Sequence, residues 1–191
     1  ILGETLGVGR STIREAIKAL ISRNVLEIRR GAGTFVSEKQ GVADDPLGLS
    51  FFQDKIKLAS DLLAIRFLIE PEIASMAAIH ATEEEIIEME LLCLEVEKLI
   101  YNRENHRQKD IEFHTAIARS SGNIVVPNLI PIINQAITLF MDITQRKLLA
   151  ETVTTHREIL ESIKIHDSKG AHDAMYLHLL YNRRAIKKEL G

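Results

Sequence analysis

Four side chains in this 191-residue sequence could together hold a metal ion: Asp110, His114, His156 and His178. Asp110 and His114 are four residues apart, so on a helix they share one face. His156 and His178 fall in two later helical stretches. Antiparallel neighbours in a bundle could bring them level with the first pair. Three imidazoles and one carboxylate suit zinc, nickel or another first-row divalent ion. Spacing alone leaves a plainer alternative open. A histidine on an apolar helix is more often a packed residue, and i, i+4 pairs arise by chance. His80, His106, His166 and His172 have no companion at ligand spacing and read as surface residues.

A second set of residues suits nucleic acid. Arg10 and Arg14 lie one helical turn apart and share a face with Ser11 and Lys18, opposite the apolar positions Ile13, Ala16, Ile17 and Leu20. A major groove admits one helix, read by the side chains on its outer face. Ser11 and Thr12 could bond phosphates at the helix start, where free backbone N–H groups favour anions. Arg29 and Arg30 precede the turn Gly31-Ala32-Gly33, and a small glycine tip can enter a minor groove. For each basic residue alone, a solvated helix face explains as much.

The elements that position these groups are mostly helices. A short apolar beat ends at Gly7, and a second helix begins at Gly9 or Ser11. Val25–Arg29 and Thr34–Val36 read as two strands around the glycine turn. Helix, turn, helix and hairpin is the order of a winged helix-turn-helix. Residues 39–53, with Gly41, Asp44-Asp45-Pro46 and Gly48, read as a linker. Helices follow near 54–80, 83–103, 105–120, 124–148, 152–166 and 169–189. Thr82 and Glu85 form a capping-box pattern. Pro127 and Pro131 either delay or kink the fourth of these helices.

Composition sets outer limits. Hydrophobic residues make up 46% and charged residues 27%, enough to bury a core under a charged surface. Residues 1–38 carry net charge +2 and the remainder −5, within a total of −3. A basic head on an acidic body suits a DNA-binding module joined to another function. Cys93 is the only cysteine, which excludes an intrachain disulfide and fits a reducing, cytoplasmic setting. No signal peptide is evident, and no apolar run is expected to span a bilayer.

The string from Leu6 to Leu20, with Val25-Leu26-Glu27 and Gly31-Ala32-Gly33-Thr34-Phe35-Val36, resembles the winged helix of the GntR family. Gly9 stands where serine is usual and Asn24 where glycine is usual. The resemblance implies that Arg10 and Arg14 are the main DNA contacts, helped by Thr12 and the wing tip Gly31–Gly33. It also implies a preceding helix that this sequence lacks, so the head is expected to be truncated at its N-terminus.

Residues from about 58 to 185 resemble the helical FCD domain of the FadR subfamily. The matching stretches are Asp61–Arg66, Ile69–Ala74, Asp110–His114, Ala118–Asn123, His156–Leu160 and Ala174–Leu179. That resemblance implies a divalent metal held by Asp110, His114, His156 and His178. It argues against the branch that binds acyl-CoA without metal. It also implies a small organic-acid effector near the metal. Arg66 interrupts an apolar run, and a buried guanidinium needs an anion. The resemblance favours an effector carboxylate for that role, with Glu70, one turn on, as the plainer partner. Asn123 is a second effector candidate, although a helix cap explains it equally well.

The expected fold is therefore mainly α. A truncated winged helix-turn-helix over 1–38 precedes an all-α antiparallel bundle of six or seven helices over 54–191. The expected function is a homodimeric regulator of double-stranded operator DNA. Two other classes stay open: a metal-dependent enzyme acting on a small carboxylate, and a metal-stabilised dimerisation bundle. No His-Glu-x-x-His helix is present, and no general base is apparent near the cluster.

Overall fold

The computed structural model describes residues 2–37, 41–42, 45–144 and 149–189. Its contacts divide the chain into two compact units, Ile1–Leu47 and Gly48–Gly191.

In the first unit, helix α1 (Leu2–Leu6) is followed by α2 (Arg10–Ser22) and an antiparallel hairpin of β1 (Leu26–Arg29) and β2 (Gly33–Val36). The hairpin pairs Arg29 with Gly33, leaving Arg30, Gly31 and Ala32 as its tip. Gly31 at φ +78° and Gly33 at φ +124° occupy conformations that L side chains rarely adopt, which accounts for both glycines. Asn24 sits in the left-handed region at φ +54°, a place where asparagine is the best non-glycine substitute. Its amide donates to the Val42 carbonyl at 2.9 Å.

The apolar face expected on α2 is only half realised. Ile13 and Ile17 are partly buried, whereas Ala16 and Leu20 are exposed. Two short helices and a hairpin enclose too little volume to cover them. Among the described residues of this unit, Ser37 alone is buried. Residues 38–40, 43 and 44, which include part of the expected linker, lie outside the described residues.

The second unit holds six α-helices among its described residues: α3 (Lys55–His80), α4 (Glu83–Tyr101), α5 (Arg107–Arg119), α6 (Ile130–Thr144), α7 (Leu149–Lys164) and α8 (Ser168–Glu189). The Asp54 side chain caps α3 by accepting from Lys57 N at 2.9 Å. Thr82 and Glu85 form the expected capping box on α4. Pro127 falls in a 3-10 turn over Val126–Leu129, and Pro131 in the first turn of α6. The expected helix over 124–148 therefore begins late, at Ile130, because a proline lacks the N–H that helix continuation needs. Residues 145–148 lie outside the described residues.

Helix α8 shows why the bundle closes. Ala171, Ala174, Met175, His178, Leu179, Asn182, Ala185 and Ile186 are buried at spacings of three and four, one stripe along the helix. That stripe packs chiefly on α3 and α7. Phe113, Ile117, Ile159, Ile163 and Leu179 are fully buried in one core cluster with Ala74, Ala77 and Met89. His178 and Asn182 are the polar interruptions in the α8 stripe.

One expectation needs correcting. The stretch Val126–Thr144 is long and apolar enough to cross a membrane by length and composition. Here Val126, Ile133, Ile137 and Met141 join the bundle core. Only 28% of that apolar stretch is buried.

Candidate functional site

Three helices bring three histidines to one point inside the bundle. His114 is on α5, His156 on α7 and His178 on α8, and all three are buried. One ring nitrogen of each lies within 4.8 Å of the other two. Asp110, one turn before His114, reaches the group through His156, with Oδ1 3.5 Å from Nε2. Spacing alone had left open whether α7 and α8 meet α5 at the same level; they do. The cluster is not on the surface: Phe113 stacks beside His156 with ring centroids 4.5 Å apart.

Several of these nitrogens make no hydrogen bond. His114 Nε2, His156 Nδ1 and His156 Nε2 are buried without a hydrogen bond. A buried polar atom left unsatisfied costs about 1–3 kcal/mol, so three in one place require an explanation. Burial pushes the Asp110 carboxyl up, against the pull of His114, His106 and Arg66. Burial also lowers His156 and His178 well below the ordinary imidazole range; neighbouring rings and Arg66 lower them further. Neutral imidazoles with free lone pairs and a carboxylate starved of solvent are the donor set that a divalent cation stabilises. The residues present fit such an ion.

The other buried histidine corrects an expectation. His106, read as a surface residue, is buried at the N-cap of α5, where it adds to the local field at Asp110. His80 and His166 are exposed and His172 is partly so.

Three partners of the cluster were not legible as such. Glu70 Oε2 is 3.1 Å from His114 Nδ1. Thr155 Oγ1 is 3.0 Å from His178 Nδ1, and Asn182 Nδ2 is 3.3 Å from His178 Nε2. Asn182 is four residues beyond His178, the same spacing that marks Asp110 and His114, so a signal for it existed. Thr155 precedes His156 and looks like any helical threonine.

Arg66, expected to meet an effector carboxylate, is engaged by Glu70. Its Nε and Nη2 both reach the Glu70 carboxylate, with Nη2 at 3.0 Å, and both side chains are 3% exposed. Burial alone would raise Glu70, but Arg66 and the His114 hydrogen bond outweigh it and hold Glu70 well below the usual carboxylate range. Asn123 Oδ1 accepts from Val125 N at 2.9 Å, which is the turn-capping role.

On the first unit, Arg10, Ser11, Thr12 and Arg14 are exposed on α2, and Arg30, Gly31 and Gly33 are exposed at the hairpin tip. Arg29 is occupied: it pairs with Glu27 at 2.6 Å and covers the Phe35 ring. Arg30 is therefore the arginine left at the tip.

Residues 61–181 match the model of the FCD domain, and residues 1–36 match that of the bacterial regulatory proteins of the gntR family. The chain belongs to the GntR family. Like other GntR-family proteins with an FCD domain, it is a transcriptional regulator, not an enzyme. It is 31% identical to the Uxu operon transcriptional regulator of Escherichia coli, over 93% of this chain and 72% of that protein. It is 29% identical to the putative L-lactate dehydrogenase operon regulatory protein of the same organism, over 98% of this chain and 76% of that one. Among solved structures, Streptococcus agalactiae GntR superposes with a TM-score of 0.82 at 41% identity, over 96% of this chain and 85% of that chain. The GntR winged helix implies operator DNA as the partner.

Proposed function

We propose that this GntR regulator is a cytoplasmic homodimer whose grip on operator DNA is set by a small carboxylate bound beside a divalent metal. In this reading residues 1–38 are the DNA-binding head and residues 39–53 the linker. Residues 54–191 are the effector-binding and dimerisation unit. Asp110, His114, His156 and His178 hold the ion, with zinc and nickel the best matches to three imidazoles and a carboxylate.

The observation that carries the reading is the set of buried, unpartnered imidazole nitrogens on His114 and His156. A bound divalent ion would supply a net positive centre with room for an anion. The relative named for an L-lactate dehydrogenase operon suggests the anion's class. A 2-hydroxy acid offers a carboxylate and a hydroxyl one atom apart, the pair that fits two adjacent open positions on a metal. The chain's own residues keep water out, and burial favours the neutral form of His156 and His178. Arg66 contributes by holding Glu70 ionised, and Asn123 by shaping the turn before α6.

In the first unit, Arg10 and Arg14 read the major groove, Ser11, Thr12 and Arg30 meet phosphates, and the Gly31–Gly33 tip enters a minor groove. Two heads in a dimer meet a near-palindromic operator. An effector that prefers one arrangement of the helical units shifts DNA affinity by linkage. A coupling of about 1–3 kcal/mol changes affinity roughly 5- to 150-fold. The test is binding of the metal-loaded chain to DNA selected from a random pool, with and without L-lactate and related 2-hydroxy acids. A shift of at least about fivefold with one such acid, lost on chelation, is expected. Equal affinity with every acid would leave a metal that only stabilises the fold.

A further inference from the structure

We propose that Glu70 and Thr155 are positioning residues that fix the tautomers of His114 and His178, so that both rings present an Nε2 lone pair to the metal. The metal assignment on which this rests is the one proposed above. The tautomers themselves are a property of the metal-free chain.

At His114, Nδ1 lies 3.1 Å from Glu70 Oε2. Arg66 pairs with both oxygens of that carboxylate. An ionised carboxylate only accepts, so the proton of this contact sits on His114 Nδ1. In the neutral ring the lone pair is then on Nε2, the atom that is buried without a partner. At His178 the same result comes from a hydroxyl. Thr155 Oγ1 lies 2.8 Å from the Glu151 carbonyl oxygen and 3.0 Å from His178 Nδ1. A carbonyl can only accept, and the hydroxyl has one hydrogen. That hydrogen goes to Glu151 O, so Oγ1 accepts from His178 Nδ1–H. The His178 lone pair is again on Nε2, where the Asn182 amide donates at 3.3 Å.

The two devices come from different helices, Glu70 from α3 and Thr155 from α7, and act on rings carried by α5 and α8. A free neutral imidazole exchanges its proton between two nitrogens, and the wrong tautomer has no lone pair where the metal sits. Fixing it beforehand raises affinity, and losing such an outer partner typically costs 10- to 100-fold in metal binding. In the metal-free chain the Asn182 amide occupies the His178 Nε2 lone pair.

The test uses the full chain in three forms: wild type, Thr155→Val, which keeps the shape and removes the acceptor, and Thr155→Ser, which restores it. Long-range proton–nitrogen spectra of the metal-free protein report which ring nitrogen is protonated. Wild type is expected to show Nδ1–H at both His114 and His178, and Thr155→Val a mixture at His178 alone. Chelator competition with Zn²⁺ or Ni²⁺ alone is expected to show about a 10- to 100-fold loss in Thr155→Val and near-recovery in Thr155→Ser. Nε2–H at either histidine in wild type overturns the proposal, and that spectrum needs no variant to fold. Unchanged affinity in a folded Thr155→Val overturns it too. A wild type with Nδ1–H tautomers that binds neither ion would sink the metal reading instead.

Discussion

His114 Nδ1 lies 3.1 Å from Glu70 Oε2, while Nε2 of the same ring is buried with no partner. One edge of the imidazole is tied to a carboxylate, and the other edge looks into a cluster of two further histidines. The core of the helical unit is thus built around an asymmetric polar network. One half, the Arg66–Glu70 pair and the Nδ1 edge of His114, is satisfied. The other half, the Nε2 edge of His114 and both ring nitrogens of His156, makes no hydrogen bond.

The satisfied half makes Arg66 a stability residue. Arg66→Ala leaves Glu70 buried without its cation, and breaking such a pair typically costs about 3–5 kcal/mol. Urea denaturation of the metal-free chain is the check. Arg66→Lys is expected to recover only part of the loss, because a point charge cannot reproduce the two-pronged contact. If Arg66→Ala keeps its stability and loses only the response to 2-hydroxy acids, Arg66 returns to a direct effector role.

Arg14 is exposed on α2, so Arg14→Ala is expected to leave thermal stability within about 0.5 kcal/mol of wild type. Its DNA affinity falls by about 1–3 kcal/mol if it reads a base edge. If it meets a phosphate instead, the loss is uniform across sequences and the salt dependence of binding weakens. Fluorescence anisotropy over a range of salt concentrations separates the two.

The capping box on α4 offers a local control. Thr82 Oγ1 accepts from Glu85 N at 3.3 Å, and Glu85 Oε2 accepts from Thr82 N at 2.9 Å. Thr82→Ala is expected to cost about 1 kcal/mol in denaturation, with metal content and DNA affinity unchanged.

Cys93 is buried, and desolvation, helped by Glu97, pushes its thiol up from 9.0 to about 11. It is therefore expected to resist thiol reagents at neutral pH until the chain unfolds. The sign for stability follows. The folded thiol keeps its proton after the unfolded one loses it, so stability declines as pH rises through the window between 9.0 and about 11. Cys93→Ala should remove that slope; a slope that persists assigns it to other groups.

Much of this was legible in the sequence because it is local. The Thr82 box, the helix stretches and the α5 pair Asp110/His114 depend on spacings of three and four. The Gly31 and Gly33 tip depends on conformations that few residues adopt. What was hidden depends on how helices meet. Nothing in the spacing places Glu70 of α3 on His114 of α5, or Thr155 of α7 on His178 of α8. Burial of His106 was equally invisible, since its neighbours Asn105 and Arg107 are polar. The late start of α6 was half legible: the prolines marked the place without choosing between delay and kink.

The most direct measurement is the metal content of the purified chain beside that of His156→Ala, by elemental analysis after exhaustive dialysis. Neither ring nitrogen of His156 makes a hydrogen bond, so its loss removes a ligand and no existing hydrogen bond, only the 3.5 Å contact to Asp110 Oδ1. About one zinc or nickel ion per wild-type chain, sharply reduced in a folded His156→Ala, is expected. A wild type that takes up neither ion, or a variant that holds as much as the wild type, would contradict a metal centre at Asp110, His114, His156 and His178.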